Sequence, residues 1–140
     1  MTIEQITTYV ESMEDVLTLR PEPGDGTPEV AWGDLFFYYA PDGVVPSGQP
    51  FATIVTKDYP GEPSSDLRAG VFRVNVDAGR RRQADCDDPT RRDQVVPHPV
   101  YARQGWVCIV QPGPQTVDEM RTLLRDAHSA AKRRWTKRHN

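Results

Sequence analysis

Hydrophobic and polar residues alternate most regularly along Val71-Phe72-Arg73-Val74-Asn75-Val76-Asp77. Phe72, Val74 and Val76 share one face and Arg73, Asn75 and Asp77 the other, the pattern of an antiparallel strand buried on one side. Residues 16–19, 35–39, 51–57 and 106–110 join it as strands through their β-branched and aromatic content. Residues 29–32 are expected to extend the second of these across a Gly33-Asp34 turn or bulge, and the last, apolar on both faces, to lie centrally. At both ends of the chain the period becomes helical. Ile3, Ile6, Tyr9/Val10 and Met13 follow a Thr2/Gln5 capping box, and Val117, Met120, Leu123/Leu124, Ala127 and Ala130/Ala131 follow a Thr116/Glu119 box.

Helix, strands, helix is the order of an α+β two-layer sandwich, with a mostly antiparallel sheet and the N- and C-terminal helices packed on one face. At 140 residues the chain buries one core without staples, so residues 1–140 are expected to form a single domain. Thirteen prolines and ten glycines mark numerous loops, among them 20–28, the turn Ala40-Pro41-Asp42-Gly43, and 58–66. Residues 79–95 are too polar and basic for a core and are expected to be a mobile loop or short surface helix. Residues 132–140 read as a basic tail.

Mean hydropathy is −0.63, and no apolar run approaches the roughly 20 residues of a membrane span. The N-terminus shows no basic stretch followed by an apolar one, so a cytoplasmic protein without membrane contact is expected. Cys86 and Cys108 lack metal-ligand or CxxC spacing: Cys108 is expected in the core and Cys86 as an exposed free thiol. Net charge is −3, but residues 1–66 carry two basic against twelve acidic side chains, whereas residues 67–140 carry fifteen against eight. Such asymmetry fits an anion-binding face, or two halves that attract each other.

Candidate chemistry is sparse. Arg73 and Asn75 stand about 6.5–7 Å apart on one strand face; with Lys57 or Tyr39 from a neighbouring strand they would line a shallow pocket for an anionic or polar ligand. The same alternation fits a solvated sheet face. His98, between Pro97 and Pro99, sits on a restricted extended backbone that would present an imidazole to a cleft as acid or base, or hydrogen-bond it to nearby backbone. Trp32, Phe36, Phe37, Tyr38, Tyr39 and Trp106 read as core aromatics, with Tyr38 and Tyr39 on opposite faces. Asp85, Asp87 and Asp88 lack the glycine and distal glutamate of a calcium loop. No cofactor and no metal is expected.

Gly70-Val71-Phe72-Arg73-Val74-Asn75, Pro97-His98-Pro99-Val100-Tyr101, Gly105-Trp106-Val107, Pro112-Gly113 and Leu123-Leu124 through Ala127-His128 resemble an uncharacterised, mostly actinobacterial family of unknown function. More distantly, Trp106 with its alternating Val/Ile strand and the final helix is similar to the MmcQ/YjbR-like proteins, which share a fold with frataxin-like and double-wing DNA-binding proteins. The first resemblance implies no catalytic residues. The expectation is therefore a small-molecule- or protein-binding domain, monomeric or homodimeric, with His98, Arg73, Asn75, Lys57 and Tyr39 as its ligand-binding candidates. Two alternatives accompany it: a nucleic-acid-associated protein using the basic C-terminal half, as the double-wing analogy implies, and an enzyme with His98 as acid or base.

Overall fold

The computed structural model describes residues 1–79 and 82–140. Its elements are α1 (Ile3–Glu11), β1 (Val16–Leu19), β2 (Leu35–Tyr39), β3 (Ala52–Val55), β4 (Arg73–Asp77), β5 (Val95–Pro97), β6 (Trp106–Val110) and α2 (Val117–Arg138), with single 3-10 turns at Glu29–Ala31 and Ala102–Gln104. The strands form one sheet in the order β1-β2-β3-β4-β6-β5, every pair antiparallel. This is an α+β fold.

Register sorts the strand residues into two faces. Leu35 pairs with Ile54, Ile54 with Val74 and Val74 with Ile109, so these apolar positions line up across the sheet. They pack with Phe37, Ala52, Val76 and Val107 against Ile6 and Val10 of α1 and Met120, Leu123, Leu124 and Ala127 of α2. One step along each strand the opposite face lines up as Phe36, Thr53, Asn75, Cys108 and Val96.

Local sequence explains how the helices start. The Thr2 hydroxyl accepts from the Gln5 amide and the Gln5 side chain accepts from the Thr2 amide, closing the expected box. The second box does not form. The Thr116 hydroxyl donates instead to Asp93 at 2.6 Å, and Glu119 pairs with Arg82. Asp93 also accepts from the backbone amides of Gly113, Gln115 and Thr116, so one carboxylate from a distant loop ties together the turn ahead of α2. A Cβ on Gly113 would stand 2.9 Å from that carboxylate, which explains why glycine occupies the position.

Three boundaries differ from the sequence reading. Residues 29–31 make a 3-10 turn rather than extending β2, because Gly33 holds a φ of +85° and breaks the strand. The expected loop 79–95 ends inside the sheet: Val95 is fully buried and pairs with Ile109. Arg80 and Arg81 of that stretch lie outside the described residues. Finally, α2 runs through the basic segment to Arg138, with Trp135 edge-on to Tyr39 at 6.1 Å and Lys132 and Arg134 paired to Glu14 and Asp77.

Candidate functional site

The face of the sheet turned away from the helices carries a cavity of about 310 Å³. Its floor is β4. Arg73 and Asn75 point into this side and are only 4% and 2% exposed, so the polar stripe is buried rather than a solvated sheet face. The loop after β3 covers it: Ser65 and Leu67 are buried there, and Tyr59 and Glu62 form part of the wall. Asp58 organises that loop by accepting from the amides of Ser65 and Leu67 and the hydroxyl of Ser64.

Arg73 is a buried guanidinium without a carboxylate partner among the described residues. Its Nε donates to Asn75 Oδ1 and its Nη1 to Ser65 Oγ, both at 2.7 Å. Nη2 has no protein acceptor among the described residues; since no sealed polar atom there is left unsatisfied, Nη2 is reached by solvent. Asn75 Nδ2 donates to Thr53 Oγ1 at 2.8 Å, and Asn75 Oδ1 also receives the Cys108 thiol at 2.9 Å. The chain Thr53–Asn75–Arg73 therefore fixes the fork by neutral hydrogen bonds. Its charge is felt through space by Asp58, His98 and Cys108. Burial away from a counter-ion is a costly arrangement for a cation.

His98 closes one side of the cavity and is 7% exposed. The two prolines hold the segment so that His98 Nδ1 accepts from the amides of Val100 and Tyr101, both at 3.0 Å. Nδ1 as acceptor puts the proton on Nε2. Burial, reinforced by the Arg73 charge, pulls the imidazole down to about 3, so the ring is neutral and Nε2–H is a fixed donor. That donor also lacks a protein partner among the described residues and is open to solvent. Gly105, at a φ of +95°, lets the chain turn from the Ala102–Gln104 turn into β6, which brings Trp106 beside Tyr101. His98, Tyr101 and Trp106 then form an aromatic wall with ring centroids 5.0, 6.1 and 6.4 Å apart.

Of the residues expected at a site, Arg73, Asn75 and His98 line this one cavity. Lys57 and Tyr39 do not. Lys57 Nζ is held by the carbonyl of Trp32 and by Asp34, a fully buried carboxylate that also takes hydrogen bonds from Thr56 and Tyr59. That network ties the Gly33 turn to the cavity wall, and it pushes the Tyr59 phenol above its usual range through burial and the bond to Asp34. Tyr39 falls on the helix face, where its ring meets His128 and Trp135. Its neighbour Tyr38 lines the cavity instead, together with Phe36 and Trp106, so half of the aromatic cluster serves the site rather than the core.

Cys108 is fully buried as expected, on the sheet face that carries Asn75, its thiol pushed up to about 12 by burial, whereas Cys86 is half-buried rather than exposed. His128 is buried and bonded to the Glu14 carbonyl at 2.6 Å. Among the described residues, no three His, Cys, Asp or Glu side chains gather as a metal site. No described helix is long and apolar enough to cross a membrane.

The whole chain, residues 1–140, matches DUF6194, a family of unknown function, and belongs to it. No curated protein and no solved structure matches the chain.

Proposed function

For a DUF6194 chain with this cavity, we propose a small-molecule-binding protein whose ligand places a negative charge on Arg73. The observation that carries the reading is the buried guanidinium with one face fixed by neutral partners and the other free. A fold gains little from a buried cation with no carboxylate in hydrogen-bond reach among the described residues, whereas a binding site does. Thr53 Oγ1 already accepts from Asn75, so Arg73 and His98 are the groups that offer hydrogen to a ligand there. The cavity is of a size that suits a small organic ligand.

Anion titration tests the reading directly. Acetate, benzoate, inorganic phosphate and phenyl phosphate are added to the wild-type protein and to Arg73→Met, and the melting temperature is followed. At least one anion should raise the wild-type midpoint and leave the variant unmoved, while the neutral amide of the same skeleton does nothing. Equal response of both proteins to every anion would overturn the reading.

The two free cysteines support the cytoplasmic location expected from the sequence, since a reducing compartment leaves thiols unpaired.

A further inference from the structure

The charge and shape of the cavity specify more than an anion, and the following step rests on the reading of Arg73 as the anion site. We infer that the ligand is an aromatic monocarboxylate, bound with its carboxylate across Arg73 Nη2 and His98 Nε2 and its ring against the Tyr38–Trp106 wall.

Three observations carry this. First, among the described residues that line the cavity the positive charge is a single guanidinium, because the imidazole on the same wall is a neutral donor held in place by two backbone amides. One guanidinium with one N–H donor matches the two oxygens of a carboxylate. Second, Glu62 stands on the same cavity wall, half-buried. A dianion such as a phosphate monoester would meet one positive and one negative side chain, and its second charge would gain nothing from Arg73 that Glu62 did not oppose. Third, most of the remaining wall is aromatic or apolar: Phe36, Tyr38, Val55, Tyr59, Tyr101 and Trp106 line it, with Gln49 among them. Tyr38 and Trp106 are 9% and 6% exposed and therefore fixed by their surroundings, so a planar ring meets ordered aromatic surface. A short aliphatic acid would leave that surface uncovered.

Calorimetric titration with benzoate, acetate, phenyl phosphate and benzamide separates this inference from the broader one. Benzoate should bind best. Arg73→Met should weaken it by about tenfold or more, the usual worth of a hydrogen bond to a charged group, and benzamide should bind no better to the wild type than to the variant. Glu62→Gln should leave benzoate nearly unchanged and strengthen phenyl phosphate by about threefold, as expected for removal of a partly exposed like charge. Phenyl phosphate binding more tightly than benzoate to the wild-type protein would overturn the monocarboxylate inference while leaving the anion site standing. Acetate binding as well as benzoate would likewise overturn the aromatic part alone. Benzoate binding equally to wild type and Arg73→Met would overturn both readings.

Discussion

Replacing Arg73 with methionine should leave the fold as stable as before, or make it more stable. The guanidinium is 4% exposed and has two hydrogen bonds to neutral acceptors. Those bonds contribute about 1.5–3 kcal/mol each, and stripping water from the cation costs several kcal/mol. The two contributions nearly cancel. Methionine keeps the apolar stem, which lies along β4, and removes the charge. Of the two orphaned acceptors, Asn75 Oδ1 still receives Cys108, and Ser65 Oγ, 1% exposed, is a neutral hydroxyl oxygen whose loss of a donor offsets part of the gain. The expected change therefore lies between zero and a gain of about 2 kcal/mol, a rise of up to about 7 °C in a chain of this size. Urea and thermal unfolding followed by near-ultraviolet circular dichroism would measure it, with an unchanged denaturant slope as the control for two-state behaviour. A loss greater than about 3 kcal/mol, the usual outcome of breaking a structural buried pair, would refute the reasoning. Arg73 would then be a keystone of the loop after β3 and not a residue kept for a ligand.

Other perturbations follow from the same geometry. His98 titrates at about 3 when folded and near 6.5 when unfolded, so the unfolded chain takes up protons first and stability falls as pH drops below about 6.5. The loss from this group should reach about 2 kcal/mol by pH 5; His98→Asn, whose oxygen can accept the two amides, should flatten that slope, and an unchanged slope would contradict it. Asp93 is destabilised by burial, but the Thr116 hydroxyl and the three backbone amides outweigh this and hold the carboxyl below the usual range. Its stabilisation is therefore present above about pH 4 and is lost as pH falls through the lower folded value. Asp93→Ala should cost about 2–3 kcal/mol in chemical denaturation at neutral pH, and a cost below about 0.5 kcal/mol would remove its role in holding the turn ahead of α2. Lys132 and Arg134 are paired to Glu14 and Asp77, which leaves Arg133, Lys137 and Arg138 exposed on that segment, so duplex DNA should be held only weakly at low salt; tight binding with a steep salt slope would restore the nucleic-acid alternative.

How far the sequence reached differs from element to element. The alternation at residues 71–77 placed Arg73 and Asn75 on one face because a strand has only two sides. It did not reveal that a loop roofs that face, since Ser65 and Leu67 belong to a stretch whose prolines and serines look solvent-loving. Tyr38 and Tyr39 were separable in principle, but which of them joins Arg73 depends on the pairing of Phe36 with Thr53 and of Thr53 with Asn75, a long-range register. Lys57 is committed to Asp34, 23 positions away, and nothing local signals that bond. The Thr116/Glu119 spacing was correct for a capping box, yet a tertiary carboxylate, Asp93, competed successfully for the hydroxyl. β5 has three residues and sits after a polar stretch, too short for a periodicity to show. Pro97-His98-Pro99 was the clearest local signal, because two fixed φ angles leave the intervening side chain few directions.

The most direct test of the anion site is the arginine side-chain ¹⁵N–¹H spectrum of the wild-type protein during benzoate addition. One Nε–H signal, assigned to Arg73 by its absence in Arg73→Met, should shift and saturate with benzoate, and its Nη protons should slow in rotation as the carboxylate engages them. An Arg73 signal that stays fixed through saturating benzoate would contradict the account.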